Sequence, residues 1–227
     1  MANFDDHVNA LTGLTISSSG TTPIQSELTE FLRDGVKDVV NKVIKARPDE
    51  LPKFCKTTDS TTTVTITGKI LSVTRQHSST SILRSCSKIS PNLRYLATDT
   101  DSIHFRSKYN PAYYELDGLI YGVPIPNDTT DNDLVVTQVH YDVGLLFSDA
   151  YNATNSTIEN FPIEYEYLVA IYAAIKSLEA KMAEFAIDEE DTELVQAITS
   201  NLTSLKQEYA GAFAMMAPPQ QAAGGRR

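Results

Sequence analysis

Residues 161–185 read FPIEYEYLVAIYAAIKSLEAKMAEF, and this stretch decides the fold. Its large apolar residues recur at alternating spacings of three and four, which is typical of the packing seam of a long helix. The seam consists of Leu168, Ile171, Ile175, Leu178, Met182 and Phe185. Pro162 opens the helix, and Glu164 and Glu166 lie in its first turn, where the helix dipole favours acids. Alanines flank the seam, so we expect close helix contacts on more than one side.

A second helical seam follows an acidic break at residues 188–191. Its members are Val195, Ile198, Leu202, Leu205, Tyr209, Ala212 and Met216. Because the connection is short, the two helices are expected to pair as an antiparallel hairpin.

A third helix is predicted near the start of the chain, over residues 22–46. Thr22 is expected to cap it, with Pro23 in the first helical position and apolar residues following at helical spacing. Gly35 in its interior suggests that a neighbouring helix approaches closely there. This helix completes a predicted three-helix bundle with the later hairpin.

The central part of the chain changes to the period of a β-strand. Residues 61–67 show the alternating pattern of a strand, with β-branched residues on both faces. Residues 134–141 form another predicted strand. Asp117-Gly118 favours the two-residue turn of a hairpin, because both central residues of that turn need positive φ. The sequence therefore predicts an α+β fold, with a mostly antiparallel β module inserted between the first helix and the last two.

The predicted organisation has five segments. They are an N-terminal arm (1–21), the first bundle helix and following turn (22–57), the β module (58–145), the helical hairpin (146–216) and an extended C-terminal tail (217–227).

The charge of the chain is unevenly distributed. The 227 residues carry a net charge of −10, which argues against a protein that grips nucleic acid through Lys and Arg. Residues 159–193 hold ten acids and two bases. They form either a solvated helix face or an acidic surface that repels DNA phosphates.

No pattern in the sequence indicates catalysis or a cofactor. The four His have no metal-ligand spacing, and there is neither a nucleophile elbow nor a phosphate-binding glycine loop. The longest apolar run, residues 167–175, is too short to span a bilayer, and the N-terminus lacks a signal-peptide pattern. We therefore expect a soluble protein that is not an enzyme, made in a cytosol, with no metal or cofactor and no membrane partner.

Three stretches resemble the head-to-tail adaptor proteins of tailed bacteriophages, including the tail tubular A type. Residues 28–43 are similar to that family's helix near the N-terminus. Residues 110–126 look like an aromatic hairpin followed by Pro-x-Pro, as seen in virion structural proteins. Residues 160–178 are similar to a helix of the adaptor bundle.

The resemblance implies a subunit of a ring, commonly of twelve copies, that binds below the portal in the virion neck. It also implies a tail or nozzle protein below the ring, and genomic DNA that passes through without specific binding. In members of that family the C-terminal segment often reaches the portal, so the C-terminal tail of this chain is a candidate docking arm. Its candidate residues are Met215, Met216, Pro218, Pro219, Arg226 and Arg227.

Two further sets of candidate residues lie in the helical hairpin. Tyr165, Val169 and Tyr172 lie off the main seam and are candidate contacts between subunits, with packing inside the chain as the alternative. Glu179, Glu184, Glu189 and Glu190 are candidate channel-facing acids. The alternative functions are another neck or tail completion protein, such as a tail terminator, and a ligand-binding protein that uses the β module.

Overall fold

The computed structural model describes residues 3–77, 82–125, 134–141, 156–158, 161–188 and 192–216. The chain divides into two compact units. The helical unit comprises residues 1–54 and 141–227, and the β unit comprises residues 55–140. The predicted α+β class is confirmed. Among the described residues, no helix has the length and apolar character needed to cross a membrane.

The helical unit is built around one long helix. Its elements are α1 (Phe4–Thr12), α2 (Gln25–Ala46), a 3₁₀ helix (Pro48–Phe54), α3 (Ile163–Asp188) and α4 (Thr192–Met216). Helices α1, α2 and α4 all contact α3. Leu168, Val169 and Ala174 point in different directions around the α3 axis, because successive residues are about 100° apart, and all three have 0% exposure. The expected contacts on more than one side of this helix are therefore confirmed.

Gly35 marks a close approach between α2 and α3. A Cβ atom added there lies 3.1 Å from Tyr172 Cδ1 and 3.3 Å from Val169 Cγ1. Even a Cβ atom would require these neighbours to shift by a few tenths of an ångström, which confirms the expectation of a close neighbour.

The N-terminal segment differs from the predicted polar arm because it contains helix α1. Phe4 and Val8 are four residues apart, so they share one helix face, and both are buried. Asn201 Nδ2 on α4 donates a hydrogen bond to the Leu11 carbonyl at 3.1 Å. The buried Phe4 and Val8 and the hydrogen bond from Asn201 therefore attach this segment to the helical unit.

The predicted cap at Thr22 and the predicted helix start at Pro23 are wrong. The helix begins at Gln25, and the preceding residue, Ile24, has extended backbone. The Glu27 carboxylate accepts the Ile24 backbone N–H at 3.0 Å. Glu27 therefore satisfies the free donor at the helix start that Thr22 was expected to serve.

The β unit consists of two four-stranded sheets. Its strands are β1 (Cys55–Ser60), β2 (Thr63–Thr65), β3 (Ile70–His77), β4 (Ile82–Ser85), β5 (Ser87–Lys88), β6 (Ala112–Leu116), β7 (Leu119–Val123) and β8 (Leu134–Val139). The strand orders are β1-β8-β3-β4 and β2-β7-β6-β5, with all neighbours antiparallel except the parallel pair β5 and β6. Val73 and Leu134 of the first sheet share a buried core with Val64 and Ile120 of the second.

The β unit confirms one local prediction and corrects another. Strands β6 and β7 form the expected hairpin, with φ of 51° at Asp117 and 74° at Gly118. The strand predicted over residues 61–67 is present but shorter than predicted. It is β2, which covers only Thr63–Thr65 and belongs to a different sheet from β1, which ends at Ser60.

Candidate functional site

The three candidate contact residues of α3 are engaged within the helical unit. Tyr165 is 4% exposed and its ring centroid lies 5.6 Å from that of Phe54. Val169 is fully buried, and Tyr172 lies against Gly35 and has its ring centroid 6.1 Å from that of Tyr209. Burial raises the pKa of Tyr165 and of Tyr172. This placement favours the intramolecular alternative for all three side chains.

Two of the four candidate channel-facing acids lie in the described part of α3, and both are ion-paired. The Glu179 carboxylate lies 2.8 Å from Lys176 Nζ and 2.9 Å from Lys206 Nζ. Glu184 lies 2.6 Å from Lys181 Nζ. The remaining two, Glu189 and Glu190, lie outside the described residues.

These ion pairs lower the pKa of both carboxyl groups. At Glu179 burial opposes the shift, but hydrogen bonds from Lys176 and Lys206 leave the pKa below its usual range. At Glu184 the hydrogen bond from Lys181 lowers the pKa. Both side chains are therefore carboxylates at neutral pH, each accompanied by a cation.

The base of the C-terminal tail is fixed at the end of α4. Arg47 Nε donates to the Met216 carbonyl at 2.8 Å, which ties the last residue of α4 to the end of α2. Met215 is 86% exposed. Pro218, Pro219, Arg226 and Arg227 lie outside the described residues, so the structure places only the start of the candidate docking arm.

The β unit contains a groove lined by tyrosines, which we call the tyrosine groove. Its volume is about 540 Å³, and its lining includes Thr62, Thr63, Arg94, Tyr95, Thr98, Tyr114, Tyr121 and Ile125. The rings of Tyr114 and Tyr121 stack with centroids 5.0 Å apart and planes within 4°. The guanidinium of Arg94 lies over the Tyr95 ring at 4.6 Å. Concave surfaces with aromatic walls and a few polar groups are typical of small-ligand sites.

Sequence reasoning did not identify this groove, although a signal for it was present. The two-residue turn at Asp117-Gly118 fixes the hairpin register and places Tyr114 directly opposite Tyr121. The contribution of Tyr95 and Arg94 had no such signal, because these residues lie outside the hairpin.

In comparisons with known proteins, no family model matches this chain, and no curated protein is significantly similar to it. Within the described ranges, no three His, Cys, Asp or Glu side chains are grouped so that they could hold a metal ion.

Proposed function

We propose that this protein is a structural subunit of a bacteriophage neck, a head-to-tail adaptor that forms a ring below the portal. The ring joins capsid to tail and lines the passage for DNA, without catalysis and without a cofactor. The proposal starts from the resemblance of residues 28–43, 110–126 and 160–178 to that family.

One observation carries the proposal furthest, namely how charge is divided between the two units. The helical unit has 11 basic and 21 acidic residues and so carries the whole net charge of −10. The β unit has eight of each and a net charge of zero. A strongly acidic helical surface repels phosphates and lets DNA move past without binding.

The arrangement of the helices fits the same proposal. We infer that α2, α3 and α4 form the three-helix bundle of the adaptor, with α1 packed on its side. Tyr209 on α4 donates a 2.6 Å hydrogen bond to Asp38 on α2, and Gly35 of α2 meets α3. The β unit is inserted between α2 and α3 in the chain, as the resemblance implies.

Electron microscopy of virus particles that contain the chain tests this function. We expect a ring of about twelve copies between the portal and the tail or nozzle protein. A chain that is absent from the neck, or present there as single copies, would contradict the proposal.

The acidic lining has its own test in a charge series. Glu179, Glu184, Glu189 and Glu190 are changed together to Lys, and together to Gln as the matched control. The change to Lys reverses the charge, so it should slow genome ejection and make the protein retain DNA, most strongly at low salt. The Gln variant should show an intermediate effect. Equal ejection by both variants and the wild type would leave these acids as a solvated helix face.

The C-terminal tail is proposed to dock on the portal, with Met215 and Met216 at its base and Arg226 and Arg227 paired with portal acids. Exposure of Met215 beside a fixed Met216 carbonyl is consistent with an arm that leaves the helical unit here. Deleting residues 217–227 should leave thermal stability unchanged and reduce attachment to DNA-filled heads. Wild-type rates of head completion by the truncated protein would refute the docking role.

A ligand-binding role for the β unit is the second candidate, and the tyrosine groove favours it. The chain has 11 Tyr and no Trp, and three of the Tyr line this groove, so the tyrosine emission of the wild type and of a groove variant is compared during titration with candidate small ligands. A saturable change that Tyr121→Ala abolishes would support this role over a purely structural one.

A further inference from the structure

The tyrosine groove contains a row of side chains that runs across three strands. Thr63 of β2 lies directly opposite Tyr121 of β7, which in turn lies directly opposite Tyr114 of β6. Directly opposite residues share one face of a sheet, so the three side chains stand in line. The rings of Tyr114 and Tyr121 are 5.0 Å apart, which is close to the spacing of neighbouring strands. The row of rings ends at Tyr121, because the next position holds the small side chain of Thr63.

This row leaves room for one more ring. Tyr114 covers one face of the Tyr121 ring, and a flat ring seated above Thr63 would cover the other face at the same spacing. Stacking of two aromatic rings stabilises a contact beyond the area that it buries, and every nucleobase has a face for it. The hydroxyl groups of Thr62 and Thr63 line this part of the groove. Hydroxyl groups both donate and accept hydrogen bonds, which suits the mixed donors and acceptors on the edge of a nucleobase.

A second part of the lining supplies a cation. Arg94 is the one charged residue among the described residues of the lining, and it forms no ion pair with a described carboxylate. Its Nη2 donates to the Tyr95 hydroxyl at 3.1 Å. Because the Tyr95 oxygen accepts this bond, its own proton remains free to donate. The nearest acid along the chain, Asp99, accepts the Asp101 N–H at 3.0 Å. The groove therefore offers charge-assisted donors to an anionic oxygen.

Hydrogen bonds hold the segment that carries Arg94 and Tyr95. The Ala97 N–H donates to the Leu93 carbonyl at 2.9 Å, and the Thr98 hydroxyl donates to the Tyr95 carbonyl at 2.9 Å. Ala97 is itself buried in a small core of the β unit. Because this segment is ordered before a ligand arrives, binding costs little conformational entropy here.

The size and charge of the groove favour a single small ligand. Its volume of about 540 Å³ lies within the range of about 300–1,000 Å³ that is usual for small-molecule sites. A nucleic-acid strand fits less well, because such strands are bound along their phosphates by several Lys and Arg. The lining described here has one cation, and the whole chain carries a net charge of −10.

We propose that the tyrosine groove binds a nucleoside monophosphate. The base stacks on Tyr121 above Thr63, and the phosphate pairs with Arg94 and accepts the Tyr95 hydroxyl proton in a hydrogen bond. The inference rests on the second candidate function, a ligand-binding β unit, and gives that function its ligand class.

Isothermal titration calorimetry of the full chain tests the ligand class. The probes are adenosine monophosphate, adenosine and inorganic phosphate, each titrated at low ionic strength. Adenosine monophosphate should bind at least about tenfold more tightly than either of the other two, because it alone has both the ring and the anionic group. Equal affinities for adenosine and adenosine monophosphate would contradict the role of the cation.

A charge variant separates the two parts of the site. Arg94→Gln should weaken the binding of adenosine monophosphate by about tenfold and leave that of adenosine unchanged, because it removes only the charge. Lys108→Gln is the matched control, since Lys108 is an exposed cation of the same unit that does not line the groove. The control should leave both affinities unchanged.

Two further variants test the open end of the row. Tyr121→Leu removes the stacking face and should weaken both adenosine and adenosine monophosphate by about tenfold. Thr63→Tyr places a third ring where the base is proposed to lie, so it should abolish the binding of both. Tyrosine is well tolerated in strands, so Thr63→Tyr keeps the test available if Tyr121→Leu fails to fold.

Four results would overturn the inference. Binding of adenosine monophosphate that survives both Arg94→Gln and Thr63→Tyr would place the ligand elsewhere. Tighter binding of a short single-stranded oligonucleotide than of adenosine monophosphate would assign the groove to a nucleic-acid strand. Binding of glucose that Tyr121→Leu abolishes, with no response to adenosine monophosphate, would refute the nucleotide and leave a ligand-binding β unit standing. A groove that binds none of these probes would count against both.

Discussion

The helical unit and the β unit divide charge and exposed apolar surface in opposite ways. All of the net charge belongs to the helical unit, whereas the smaller β unit is neutral. Nine of the thirteen exposed large apolar side chains among the described residues belong to the β unit. These nine are Leu71, Ile82, Leu83, Tyr95, Leu96, Ile103, Phe105, Tyr109 and Ile125.

The difference shows where each unit can act. The helical unit uses its apolar residues to pack four helices and presents mostly charged, polar and small side chains to solvent. The β unit buries a smaller core and leaves apolar and aromatic side chains outside, which is typical of an interaction surface. Under the proposed function, DNA repulsion would belong to the first unit and contact with a partner to the second.

The largest expected effect is a loss of stability when a buried residue at the centre of the helical unit is truncated. Leu168→Ala should lower the free energy of unfolding by about 2–5 kcal/mol, because it leaves a cavity in a fully buried position. Urea unfolding followed by far-UV circular dichroism measures this. Tyr167→Ala, next to it and 48% exposed, is the control. Equal losses in the two variants would show that α3 is not the core of the unit.

Replacing one glycine in each unit by alanine should change stability in opposite directions, which sharpens the comparison between the two units. Gly118→Ala in the β unit should cost about 1–2 kcal/mol, because a side chain disfavours its φ of 74°. Gly211→Ala in α4 should stabilise by up to about 1 kcal/mol, because an added Cβ meets no atom within 4 Å. Thermal unfolding of both variants provides the measurement. A stabilising Gly118→Ala would contradict the strained turn.

The smallest expected effect is a pH dependence confined to the helical unit. Folding lowers the pKa of Glu179, so this carboxylate stabilises the fold at neutral pH. That stabilisation is lost as pH falls from about 4.3, the unfolded value, through the lower folded value. Its size should be under about 1 kcal/mol, because Glu179 is 35% exposed.

Unfolding of wild type and Glu179→Gln between pH 7 and pH 3 measures this contribution. The difference between the two should shrink as the pH falls. A difference that stays constant over this range would show that Glu179 contributes through packing alone.

Some features followed from the sequence by itself because they depend on residues close together in the chain. The spacing of Leu168 and Ile171 set the face of α3, and Asp117-Gly118 set the β6–β7 hairpin. The interior position of Gly35 also indicated the close approach that α3 makes there. In each case the signal is a local rule about helix faces, turn conformation or backbone space.

Other features were decided only by the tertiary structure, because they join residues distant in sequence. Tyr165 has the appearance of a surface tyrosine in the sequence, but in the fold its ring packs against Phe54, which also contacts Phe161. Strand β1 pairs with β8, about eighty residues later, so no local pattern could end it at Ser60. The exposure of Ile103 has the same origin, since burial depends on which distant surfaces a fold brings together.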